Sequence, residues 1–111
     1  MTVRERIKGI QVELRDTDVS PARSRDMLVE LTALLGNCME EMRLADVAYS
    51  QCVAKFLDTE KKANRAHILA ETSPEYDRKR QAHDAHKLVL EMVRSLKAVL
   101  RSSEAEMHLA R

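Results

Sequence analysis

Few residues in this chain have the types and spacing for chemistry. His83-Asp84-Ala85-His86 puts two imidazoles three residues apart, on one face of any helix that carries them, which suits a metal ion. Structural zinc takes four ligands, commonly including cysteine. Cys38 and Cys52, however, are 14 residues apart and far along the chain from both histidines. On one helix they are separated by about 21 Å, which also rules out a disulfide. The sequence therefore predicts no metal site and two core thiols. A glycine-rich phosphate loop, an H-E-x-x-H pair and a nucleophile elbow are all missing. No catalytic residue and no cofactor are predicted.

Charge is the other candidate chemistry. The chain has 19 basic and 18 acidic residues, so it lacks the excess that drives polybasic binding to nucleic acid or membranes. The distribution is uneven. Residues 1–54 hold seven bases and nine acids, whereas residues 55–87 hold eight bases and six acids. Lys61, Lys62, Arg65, Arg78, Lys79 and Arg80 form the predicted contact set for an acidic partner or a phosphate. Tyr49 or Tyr76 could stack a base beside them, though so few aromatics make a poor platform. A plain solvated face explains the same charges, since pairs such as Asp84 and Lys87 sit at helical spacing.

Helices must position these groups. Two glycines, two prolines and three aromatics in 111 residues cannot supply the turns and β-formers of a sheet protein, and 44% hydrophobic residues argue against disorder. Thr2-Val3-Arg4-Glu5 is a capping box opening a short helix over about 3–15, with Val3, Ile7, Ile10 and Leu14 as its apolar stripe. Ser20-Pro21 starts a second helix. Its stripe is Leu28, Leu31, Leu35, Cys38, Met42, Ala45, Tyr49, Cys52, Phe56, Thr59, Ala63, Ala66 and Ala70. Steps of three and four alternate there without a slip, a coiled-coil signature in which only Thr59 is polar. Gly36-Asn37 is the one candidate break, since Asn37 and Glu40 could cap a fresh helix after a glycine stop. The phase holds from Leu35 to Cys38, however, so the favoured reading is one helix over about 21–71.

Ser73-Pro74 repeats the start signal and predicts a third helix over about 74–108, with an end that frays from Ser102. Its seam would be Ala82, Ala85, Val89, Met92 or Val93, Leu96, Val99 or Leu100, and Met107. The expected fold is all-α: one domain over 1–111, a long antiparallel hairpin turning at 72–73, with the short first helix near the open end. From Thr59 to His86 the seam is mostly alanine, which buries little area and predicts a weak turn end.

Apolar residues also lie off the seam. Leu44, Val47, Val53, Leu57, Leu88, Leu90 and Val93 exceed what one partner helix can cover, and they are the predicted interface of a homo-oligomer. No apolar run reaches the length of a membrane span and the N-terminus carries no signal-peptide core, so a cytoplasmic, membrane-free protein is expected.

A short helix, then a helix with Leu34-Leu35-Gly36 and Ala48-Tyr49, then a helix reading Tyr76-(x)5-Ala82-(x)5-Leu88 and Val93-Arg94-Ser95-Leu96-Lys97 resembles small helical phage and prophage proteins. These are often encoded beside recombination and single-strand-binding genes. The resemblance implies a mobile-element origin and offers no catalytic motif to carry over. Some such proteins inhibit host defence by blocking a host protein or sequestering a nucleotide signal. The leading expectation is thus a non-catalytic, homo-oligomeric binding protein that blocks a host protein. The alternatives are a nucleic-acid or nucleotide binder using the basic residues, and a purely structural assembly protein.

Overall fold

A computed structural model describes residues 2–109, of which 91% are helical. Four helices follow in order: α1 (Val3–Asp16), α2 (Pro21–Thr59), α3 (Ala63–Glu71) and α4 (Pro74–Leu109). The described residues contain no strand. The capping box forms as read: the Glu5 amide donates to Thr2 Oγ1, and the Thr2 amide donates to a Glu5 carboxylate oxygen, each at 3.2 Å. The Ser20 hydroxyl accepts the Arg23 amide at 3.1 Å and caps α2, with Pro21 at its first position. Helix α2 runs through Gly36-Asn37 without a break, and α4 stays helical as far as Leu109. Ala110 and Arg111 lie outside the described residues.

The chain divides into two compact units, each drawing on both long helices. The first joins α1, α2 up to Asn37 and α4 from Lys87. Its core is made of large side chains: Ile7 and Ile10 from α1, Met27, Leu31 and Leu34 from α2, and Val89, Met92, Val93, Leu96 and Leu100 from α4. Ion pairs Arg6–Glu30 and Arg23–Glu13 fasten the short α1 to the start of α2. A helix of this length is marginal alone, and docking is what holds it. The expected placement of the first helix is therefore observed.

The second unit, residues 38–86, corrects the predicted hairpin. Its core is small: Cys38, Ala45, Cys52, Ala66, Ala70 and Ala82. Cross-helix contacts fix its register. Glu41 meets Arg78, Asp46 meets His83, and Tyr49 meets Tyr76. The midpoint of each pair falls between residues 59 and 65. The chain therefore reverses at Glu60-Lys61-Lys62, between α2 and α3, and not at Thr72-Ser73. Helices α3 and α4 together form the return limb. The expected single helix over 21–71 is thus two antiparallel helices, giving four helices in place of three.

Both interruptions have local causes. At the reversal the Glu60 amide donates to the Phe56 carbonyl, and Thr59 Oγ1 donates back to the same carbonyl, closing α2. Lys61 and Lys62 then sit just past a helix C-terminus, where cations are favourable. At Ser73 the hydroxyl accepts the Tyr76 amide at 3.2 Å and donates to the Ala70 carbonyl. This is a true N-cap for α4 that interrupts the limb without turning it back.

Candidate functional site

The six predicted contact residues separate into two groups. Lys61 and Lys62 occupy the reversal and are exposed, and Arg65 follows in the first turn of α3 with its guanidinium 3.5 Å from Glu60. Arg78, Lys79 and Arg80 lie far down the return limb, roughly 20 Å from the tip at 1.5 Å per residue. A hairpin turning at 72–73 would have brought all six together. Reversal at 60–62 does not.

The second group is already engaged within the chain. Arg78 grips Glu41 with two hydrogen bonds, Nε at 2.8 Å and a terminal nitrogen at 3.2 Å. That fork geometry holds the Glu41 carboxyl below its ordinary range and raises the Arg78 guanidinium above its own. The Lys79 ammonium stands 4.6 Å from the centre of the Tyr49 ring, and Arg80 stands 6.0 Å from the Tyr76 ring. Both are cation–π distances. The two tyrosine rings are 5.5 Å apart and tilted by 47°, a centroid distance within the range of favourable aromatic pairs. Burial pushes the Tyr49 hydroxyl up, assisted by the charge of Glu71. These side chains cross-link α2 to α4, which sequence spacing of 27 to 37 residues did not disclose.

His83 faces Asp46 at 2.8 Å, so the first histidine of the candidate metal pair is spent on a carboxylate across the unit. Among the described residues no group of three or more His, Cys, Asp or Glu side chains could hold a metal ion. Cys38 and Cys52 are buried and unpaired, and burial pushes the Cys38 thiol up, away from the reactive thiolate.

The same unit contains a groove of 590 Å³. Its lining includes the apolar Cys52, Phe56 and Leu69, the charged Lys55 and Glu75, and the capping turn at Thr72, Ser73 and Pro74. It exists because α3 folds back along α2.

The predicted interface residues also separate. Leu44, Val47 and Leu57 are 41%, 46% and 43% exposed, and Met39 adds a further exposed side chain on the same helix. Val53, Leu88 and Leu90 are half-buried. Val93 is buried within the single chain, like Val89, Met92 and Leu96 of the same helix, and is not part of its exposed surface. One neighbour helix evidently does not cover everything on α2. No described helix is long and apolar enough to cross a membrane. No family model matches the chain, and neither a curated protein nor a solved structure matches it.

Proposed function

We propose that the protein is a non-catalytic helical binding module that associates with itself and presents the cations of its hairpin tip to an acidic protein surface. The observation that carries this reading is the set of exposed apolar side chains Met39, Leu44, Val47 and Leu57 on α2, which lie outside the face that buries Ala45 and Cys52 of the same helix. A helix with apolar groups on both faces is built to be covered on both. Association through this set multiplies the tips bearing Lys61, Lys62 and Arg65, so several weak contacts act together. Blocking of a host protein, as in the phage proteins that the chain resembles, is the form of activity that suits a protein without catalytic groups.

Sedimentation equilibrium tests the association directly. At tens of micromolar, in protein never unfolded and refolded at high concentration, the wild type should exceed the 12.7 kDa chain mass, and Leu44→Lys with Val47→Lys should return it to that mass with its helix content unchanged. A wild type that sediments as a single chain overturns the proposal.

The second reading is a nucleotide or nucleic-acid binder, favoured by the cluster of Tyr49, Tyr76, Lys79 and Arg80. It requires single-stranded DNA or a cyclic oligonucleotide to bind at low salt and to weaken steeply as salt rises.

A further inference from the structure

The reversal at Glu60-Lys61-Lys62 is built from residues that favour helix. It contains no glycine and no proline, and no described residue has a positive φ. Glutamate and lysine are good helix formers. The α3 N-terminus is poorly served: Lys62 occupies the cap position with φ −109° and ψ 124° and makes no side-chain cap bond. The last amide of the α2 ladder is Glu60, bonded to Phe56, and the first of α3 is Ala66, bonded to Lys62. Among the described residues, the amides of 61–65 therefore have no intramolecular partner. Lys61, Lys62 and Arg65 also place positive charge at the positive end of the α3 dipole.

The seam provides the second observation. Phe56, Thr59, Ala63, Ala66 and Ala70 keep the same alternation of three and four straight through the reversal. A hairpin gains nothing from phase kept across its turn. A continuous helix does, because one unbroken stripe would then face a partner. In that helix Asp58 would also sit four residues before Lys62, the favourable order for an ion pair.

We propose that Glu60–Lys62 is an exchange hinge: α2 and α3 fuse into one helix, and the return limb of α3 and α4 packs on α2 of a second copy. The contacts of the second unit between α2 and the return limb are kept in the exchanged dimer, with partners on different chains. They include Tyr49–Tyr76, Glu41–Arg78 and Asp46–His83, and only contacts at the hinge itself are lost. Exchange of identical elements is a low-cost route to a dimer, and the hinge alone decides the balance. Straightening it gives the amides of 61–65 helical partners. It costs the Glu60–Arg65 ion pair and sets Lys61 and Arg65 one turn apart as like charges. The exchange is independent of the exposed apolar set of α2, so both modes of association can be tested separately.

The experiment uses the full chain carrying Leu44→Lys and Val47→Lys, which removes association through that set. Light scattering after refolding at high concentration should show a dimer of twice the chain mass. Lys61→Ala with Arg65→Ala, which removes the like-charge pair and the hinge ion pair, should raise the dimer-to-monomer ratio on the order of fivefold. Ala63→Pro should abolish the dimer and leave a folded monomer. Proline suits the first position of α3 behind an extended Lys62, but in the continuous helix it removes a hydrogen bond and clashes with the preceding turn. In dimers mixed from isotope-labelled and unlabelled chains, the Tyr49–Tyr76 contact should pass between chains. A dimer undiminished by Ala63→Pro, a Tyr49–Tyr76 contact confined within chains, or no dimer even with Lys61→Ala and Arg65→Ala overturns the exchange. Failure of the association through the exposed apolar set alone would instead show in the wild-type mass and leave these outcomes unchanged.

Discussion

The two units of this chain solve the same packing problem with opposite materials. The first interlocks large aliphatic side chains from three helices, with Met27, Leu31 and Val89 fully buried. The second brings helices together over Ala45, Ala66, Ala70 and Ala82 and two cysteines. Small residues permit close approach but remove little apolar area from water, at about 25 cal/mol per Å². The second unit compensates at its edges with paired tyrosines, cations on their rings, and the pairs Glu41–Arg78 and Asp46–His83. Core volume secures one unit, and polar and aromatic cross-links set the register of the other. The exchange hinge lies in the second unit, but α4 runs through both, so the exchange remakes the contacts of both units between chains.

The contrast breaks most readily in the core. Leu31→Ala should destabilise the protein by about 3 kcal/mol through lost transfer energy and a residual cavity. The second unit has no large side chain that is fully buried, so its core is sensitive in the other direction. Ala66→Leu, at a fully buried position, should cost about 2 kcal/mol by overpacking, and it should first disturb the contacts of residues 38–86. Urea unfolding gives both magnitudes, and amide exchange shows which unit opens. Equal protection losses in both units for both variants would remove the distinction.

The same contrast explains what the sequence made legible. The first nine of the thirteen seam positions assigned to the second helix, from Leu28 to Phe56, are buried or half-buried without interruption, with Thr59 the first exposed member. A stripe records which face of a helix is covered, and it says nothing about which way the next helix points. The reversal was hidden because Thr59-Glu60-Lys61-Lys62 has no breaker, whereas Ser73-Pro74 is a strong start signal that caps α4 without turning the limb. The one polar residue in the stripe, Thr59, was the available clue, since its hydroxyl ends α2. Once the turn moves from 72–73 to 60–62, each return-limb residue meets a partner about twenty positions earlier on α2. The basic cluster disperses for that reason, and the tyrosine pair appears for the same one.

A further prediction sharpens the account of the first unit. Ser24 is 1% exposed, and its hydroxyl finds no hydrogen-bond partner in the structure. A buried hydroxyl left unpaired costs on the order of 1 kcal/mol or more. Ser24→Ala removes that cost with almost no change in volume, so it should stabilise the chain by about 1 kcal/mol, read as a rise in the urea midpoint at constant slope. The polar group here is a defect in a tightly packed apolar core. A loss of stability would mean that the hydroxyl is bonded in solution.

The smallest effect concerns the polar fastening of the second unit. Arg78 lowers the Glu41 carboxyl from its ordinary range, first by hydrogen bonding, with burial opposing and charge attraction assisting. A carboxyl depressed in the folded state contributes stability above its unfolded pKa and loses it as pH falls through the folded one. The wild type should therefore lose stability between pH 7 and about pH 3, and Arg78→Met should lose less over that interval because Glu41 then titrates near its ordinary value. Both side chains are nearly half exposed, so water and salt screen the pair and the difference should shrink further as salt is added. Urea midpoints at the two pH values, with Glu41→Gln as the partner variant, isolate the pair from other carboxylates. If Arg78→Met and the wild type fall in parallel, the pair fixes register and contributes no pH dependence, leaving the tyrosines and the alanine seam to hold the unit together.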